Sequence, residues 1–249
     1  MALIWQEASG GRRFEVRSHG SVRRLYIGGV LHTSHHPHQI FTGDVWDLLA
    51  LGSFYAPRSK RPRFLVLGVG GGRVIHCLLK LWPGCQITAV DLEPLCPKIA
   101  AQFFDLDTDA VTFVTEDGRS FVDSYRGGSF DYIIDDMFLE EEGEPARVQS
   151  LSNKWTEALR SLLGPGGCLC FNFPDRPSLS KDWAQLSFKE SPGLYGEYVT
   201  GGRFQNAVLF MPDKEPPRGQ LRRLAGSHPL LKGGDQSRLN FHRRRLSSL

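Results

Sequence analysis

The chain has 249 residues, 41% of them hydrophobic, with a net charge of +3. A length of this order suits one α/β domain with small additions, and no apolar run is long enough to span a bilayer. The opening "MALIWQEASGGRRF" lacks the basic start and long apolar core of a secretory signal, so a soluble, cytoplasmic protein with no membrane contact is expected.

Five cysteines, Cys77, Cys85, Cys96, Cys168 and Cys170, match no zinc spacing and read as reduced, mostly buried thiols. The mild charge is unevenly spread. "RRLYI", "RSKRPR" and the tail are basic, whereas 131–144 is acidic. No recognition motif accompanies the basic segments, which speaks against nucleic acid as a partner.

Residues 1–57 read as a small lead-in unit. "RRFEVRSHG" and "SVRRLYIGG" are short strand-like runs with glycine between them, a hairpin signal. "VLHTSHHPHQ" reads as a polar connection, and "IFTGDVWDLLALGSFY" has helical apolar spacing. "RSKRPR" reads as an exposed linker.

From 58 to 215 the pattern alternates between strand and helix. Strands are expected at "RFLVLGV", "QITAVDL", "AVTFVTED", "FDYIIDD" and "CLCFNF". Helices are expected at "GRVIHCLLKLW", "CPKIAAQFF", "GRSFVDSY" and "SNKWTEALRSLL". Near-continuous apolar strands separated by helices imply a parallel sheet covered on both faces. "LYGEYVT" and "FQNAVLFMP" read as an antiparallel pair added at the sheet edge. Residues 216–249 are polar and basic and read as a C-terminal helix or loose tail.

Three features fall at successive strand ends, where open α/β sheets bind ligands. "FLVLGVGGGRVIH" sets Gly68, Gly70 and Gly72 between strand and helix, as a tight turn approaching a ligand requires. Arg73 stands where a dinucleotide-binding loop would carry its last glycine. The remaining G-x-G-x-G form resembles motif I of class I S-adenosylmethionine-dependent transferases. Asp91 follows at ribose-binding distance, and Glu93 either shares that task or faces water. Asp117 and Gly118, in "EDGRSF", are candidates for reading an adenine ring and also make a good turn pair.

"LVLGVGGGRVIHCLLK", "ITAVDLEP", "TEDGRSFV" and "FDYIIDDMF", in that order, resemble the successive motifs of the spermidine synthases and their relatives. "RRLYIGGVLHTSHHPHQIF" resembles the β-rich piece that precedes that family's catalytic domain. The resemblance implies a Rossmann-like class I methyltransferase sheet, mostly parallel with an antiparallel final strand, behind a small N-terminal β-unit. It also implies a donor of the S-adenosylmethionine type, often a homodimer, and Asp136 as a catalytic carboxylate, with Asp135 as a second candidate.

The departures gather at the reaction centre. Aminopropyl transferases carry an aspartate that contacts the amine of decarboxylated S-adenosylmethionine, and the matching residue here is Gly71. His32 replaces a glutamine and is a candidate donor contact. Phe41 and Thr42 replace a Tyr-His pair, and Met137, Phe138 and Leu139 replace the residues after the first aspartate of an Asp-Ser/Thr-x-Asp-Pro motif. A pocket for a polycation needs placed carboxylates, so methyl transfer to a small-molecule acceptor is the favoured reading. Aminopropyl transfer with an atypical acceptor site and a non-catalytic nucleoside-binding protein are the alternatives.

No metal is expected. His32, His35, His36 and His38 read as a polar loop over the site mouth, since Pro37 interrupts them. "LEEEGEP" lacks the alternation of a calcium loop and reads as a solvated loop.

Overall fold

The computed structural model describes residues 1–56, 59–141, 144–187, 195–231 and 241–246. The expectations for residues 57–58, 142–143, 188–194, 232–240 and 247–249 lie outside them.

The chain opens with a four-stranded antiparallel meander, β1 (Ala2–Ser9), β2 (Arg12–His19), β3 (Val22–Ile27) and β4 (Val30–His35), paired in chain order. The β2–β3 hairpin is the one the glycine-separated runs foretell. β4 is a correction to the polar connection expected there. It is a strand because Thr33, Ser34 and His35 are buried between the meander and the main sheet. Helix α1 (Val45–Leu51) follows, continued by a 3₁₀ turn at Gly52–Tyr55. Tyr132 OH donates to Leu49 O at 2.6 Å, and Trp82 Nε1 donates to Ser53 Oγ at 2.8 Å, tying this segment to the main sheet.

The main sheet is built from β5 (Arg63–Leu67), β6 (Gln86–Asp91), β7 (Val111–Thr115), β8 (Phe130–Asp135) and β11 (Leu163–Phe173), all parallel. Helices α2 (Arg73–Leu81), α3 (Leu95–Phe103), α4 (Gly118–Ser124) and α5 (Asn153–Ser161) link the strands, and α6 (Arg176–Trp183) follows β11. β12 (Gly196–Gly201) and β13 (Ala207–Pro212) extend the sheet antiparallel, as the sequence pattern requires. The strand order is β14-β12-β13-β11-β8-β5-β6-β7.

The sheet's two faces have separate cores. On β5, Phe64 and Val66 face the core shared with the meander and α1–α3, while Leu65 and Leu67 face the core of α4–α6. The same alternation puts Cys168 and Cys170 on one face and Leu169 and Phe171 on the other. All five cysteines are free and buried. Each fully buried Leu, Val or Phe contributes about 1.5–3 kcal/mol, so both faces resist exposure.

One stretch departs from expectation, and in another a helix expected as one alternative is joined by a strand. "LEEEGEP" is part of a hairpin, not a loop. β9 (Phe138–Glu141) and β10 (Glu144–Arg147) pair antiparallel with Phe138 opposite Arg147. The basic tail forms helix α7 (Gln220–Ser227) and strand β14 (Phe241–Leu246), which pairs with β12. Arg243 donates to the buried carboxylate of Glu197 at 2.9 Å, and Arg245 pairs with Glu215 at 2.7 Å, so this part of the tail is bound to the sheet. Among the described residues no helix is long and apolar enough to cross a membrane.

Candidate functional site

A cavity of about 570 Å³ opens at the carboxyl ends of β5, β6, β7, β8 and β11. Its floor includes Gly68–Gly70, Asp91–Glu93, Glu116–Arg119, Asp136 and Asn172. Its walls come from the meander, the start of α1, the β9–β10 hairpin and residues 203–206 between β12 and β13.

The glycine loop is shaped by what presses on it. Gly68 has φ 91°, and a Cβ there would lie 2.3 Å from Asp136 O. Only glycine lets β5 and the tip of β8 come this close. On the other side, Thr33 Oγ1 accepts from Gly71 N at 2.7 Å, so β4 lies directly on the loop. Gly72 caps the base of α2 and does not line the cavity.

Asp91 ends β6. Its Oδ2 accepts from Val69 N at 2.7 Å and Gly70 N at 3.3 Å, and its Oδ1 accepts from Glu93 N at 2.9 Å. Burial raises this carboxyl above its ordinary value, and these backbone donors oppose the rise. Glu93 neither stands alone nor simply faces water, because it forms an ion pair with Arg12 of β2. That pair joins the meander to the segment that follows β6.

Asp117 caps α4, its Oδ1 accepting from Arg119 N and Ser120 N, each at 3.1 Å. The Ser120 N–H is the first cause of its lowered pKa. A Cβ on Gly118 would lie 2.4 Å from Met137 Sδ, so a larger residue there displaces the Met137 side chain. His32 lines the cavity. Burial, then the charge of Arg12, lowers its pKa to about 4, so it is neutral at pH 7.

The two aspartates at the end of β8 differ sharply. Asp135 is fully buried and does not line the cavity. Its Oδ2 accepts from Arg147 Nη2 and from Trp155 Nε1, both at 2.8 Å. Arg147 also stacks on Phe173, 4.6 Å from the ring centroid, and donates to Asn172 O. Asp136 lines the cavity, and its Oδ1 accepts from Asn172 Nδ2 at 2.8 Å. Burial pushes the Asp136 carboxyl up to about 7. The Asn172 hydrogen bond opposes this, and the neighbouring Asp135 charge adds to it.

The histidines do not act as one loop. His35 is buried on β4, facing His76 at 5.0 Å between ring centroids, and its Nε2 lies 3.4 Å from Asp105 Oδ2. His36 and His38 pack on each other away from the cavity lining. Among the described residues no group of three or more His, Cys, Asp or Glu side chains could hold a metal ion.

The architecture was compared with solved structures. A probable spermidine synthase from Corynebacterium glutamicum superposes with a TM-score of 0.73 at 18% identity, covering 92% of this chain and 89% of that one. The fold is that of the spermidine synthases. No family model matches the chain. Among curated proteins, an eEF1A lysine and N-terminal methyltransferase homolog of Drosophila melanogaster is 32% identical over 114 residues, 43% of this chain. A polyamine aminopropyltransferase of Vibrio vulnificus is 28% identical over 124 residues, 49% of this chain. The chain spans 17% of the first relative's length and 40% of the second's.

Within this spermidine synthase fold, the cavity brings together Gly68, Gly70, Asp91, Glu93, Asp117, Gly118, His32 and Asp136. Four residues around these were not singled out in advance: Arg12 pairs with Glu93, Thr33 accepts from Gly71, Asn172 donates to Asp136, and Asn206 donates to Asn172. Asn172 gave one signal, as the polar residue in the apolar run "CLCFNF". The other three act through contacts made only when distant segments meet.

Proposed function

We propose that the chain is a methyltransferase using S-adenosylmethionine, with Asp136 as the carboxylate on the acceptor side. The residues present fit such a donor. Asp91 Oδ2 is taken by two backbone donors, while Oδ1, with one, keeps acceptor capacity for a ribose hydroxyl, and the hydrogen bonds to Asp117 among the described residues all use Oδ1. Bound there, the donor would supply an electrophilic methyl group on a sulfonium.

The observation that carries methyl over aminopropyl transfer is the packing at Gly71. A Cβ there would lie 2.8 Å from Cβ, Cγ2 and Oγ1 of Thr33. An aspartate at this position, as aminopropyl transferases carry, has no room while Thr33 stays in place. Its absence also removes a negative charge that would repel the carboxylate of S-adenosylmethionine.

On this reading the protein's part in the rate is positioning and proton handling. The cavity walls hold the acceptor in line with the methyl group, which can supply about 7–11 kcal/mol of the barrier. Asp136, with its raised pKa, takes a proton from the acceptor near neutral pH. The acceptor is a small molecule or a protein group. The Drosophila melanogaster relative, an eEF1A lysine and N-terminal methyltransferase homolog, makes amines the first acceptors to try.

Aminopropyl transfer is the second reading, favoured by the close superposition on a probable spermidine synthase. The two are separated by product. Each donor is incubated with the protein and an amine panel that includes putrescine, lysine and short peptides, and the nucleoside product is identified by mass spectrometry. S-Adenosylhomocysteine is expected. Methylthioadenosine from the incubation with the decarboxylated donor, with no S-adenosylhomocysteine from S-adenosylmethionine, would replace this reading with the second.

A further inference from the structure

Behind Asp136 lies a chain of two amides. Asn172 Nδ2 donates to Asp136 Oδ1 at 2.8 Å, and Asn206 Nδ2 donates to Asn172 Oδ1 at 3.1 Å. All three residues line the cavity, and Asn172 is only 4% exposed.

The direction of this chain follows from charge. A carboxylate only accepts hydrogen bonds, so Asn172 must turn its NH₂ toward Asp136. Its carbonyl oxygen then faces Asn206, which must turn its own NH₂ inward. In that orientation Asn206 satisfies the Asn172 carbonyl oxygen and holds the amide in place. Arg147 holds the other side of the residue by donating to Asn172 O from β10. The Asn172 backbone is fixed by Arg147 and its side chain by Asn206.

We propose that Asn206 is a positioning residue of the transfer site. It holds the Asn172 amide in the orientation that the Asp136 carboxylate imposes, and so keeps Asp136 with one oxygen committed and the other available to the acceptor. This rests on the transferase reading of the cavity. Asn206 comes from the segment between β12 and β13, so the antiparallel extension of the sheet takes part in the chemistry of the parallel half. The charges that act most on Asp136 are Asp135, Arg147 and Asp91, and Arg203, from the same segment as Asn206, also lines the cavity.

The test is the titration of the Asp136 carboxyl, followed by carbon NMR of protein labelled at aspartate and assigned with Asp136→Asn. Asn206→Leu removes the donor to Asn172 while adding no charge. It should raise the Asp136 titration midpoint by roughly half a unit or more, since a hydrogen bond to the charged form is weakened. Turnover against pH should move with it, and donor KM should not. In an Asn172→Leu background, Asn206→Leu should cause no further movement, because the relay is already cut. Asn206→Ala is measured alongside, with the same expected direction, in case the leucine variant does not fold. An unmoved midpoint in a folded variant overturns the proposal, as does an equal movement with and without Asn172. The titration needs no turnover, so an inactive wild-type protein would sink the transferase reading separately.

Discussion

Gly68 and Asp136 meet where the first and fourth parallel strands of the sheet end. Asp136 N donates to Leu67 O at 2.9 Å, and a Cβ on Gly68 would lie 2.3 Å from Asp136 O. The glycine loop and the tip of β8 that carries the Asp136 carboxylate are therefore one piece of backbone geometry. A change in one displaces the other.

Gly68→Ala tests that coupling. The substitution combines a backbone clash with a φ of 91° that alanine resists. Overpacking costs about 1–3 kcal/mol, so Tm should fall by roughly 5 °C or more. Binding of S-adenosylhomocysteine and turnover should be lost together. Calorimetry on the folded variant at low temperature checks the first, and an unchanged affinity would show that loop and strand tip are independent.

Asp136→Asn should separate the two halves of the cavity. Turnover should fall by roughly a hundredfold or more, while donor affinity stays within about tenfold. For the wild type, turnover should rise with pH and level off above about 7, because the base is protonated below its raised pKa. The stability effect has the opposite sign. The folded carboxyl binds its proton more tightly than the ordinary value of 3.8 allows, so this group's stabilising contribution is lost as pH rises from there through about 7. The slope of Tm against pH in that window should flatten in Asp136→Asn.

Asp91→Ala should show the reverse pattern to Asp136→Asn. It removes the acceptor proposed for the ribose and frees the N–H groups of Val69 and Gly70. Donor affinity should fall at least tenfold, about 1.4 kcal/mol. Isothermal calorimetry with S-adenosylhomocysteine reads this directly. A variant that binds normally but fails to turn over would mean that the donor and acceptor sides have been exchanged.

Arg147 and Asp135 form a buried ion pair, with side chains 7% and 0% exposed. Removing only Arg147 leaves a buried carboxylate with Trp155 as its remaining side-chain donor. Arg147→Leu should cost about 3–5 kcal/mol. Adding Asp135→Leu should recover much of that, because the charge itself is then gone. Urea unfolding of both variants measures the difference. Equal stabilities would show that the pair has no structural weight.

The parallel strands were legible because both of their faces are buried, which leaves unbroken runs such as "RFLVL" and "YII". The meander was only half legible. β1 pairs with β2 but is mostly exposed, so its sequence shows no burial alternation, and β4 hides histidine, serine and threonine in the interior. β14 looked like a loose basic tail because its arginines mostly face outward, and what makes it a strand is the free edge of β12. Of the candidate residues that line the cavity, all but His32 lie at or just past the ends of parallel strands, where position alone is informative. Thr33, Asn206 and Arg12 come from segments that touch the strand ends only in the folded chain. Asp135 and Asp136 are neighbours in sequence, but strand alternation sends one into the α4–α6 core region beside Trp155 and the other into the cavity.

The most direct test of the central claim compares two donors by calorimetry on the wild-type chain. S-Adenosylmethionine should bind at least tenfold more tightly than its decarboxylated form, a difference of about 1.4 kcal/mol, because Gly71 and Thr33 replace the aspartate that recognises the latter. Tighter binding of the decarboxylated donor, or no binding of either at millimolar concentration, would contradict the account.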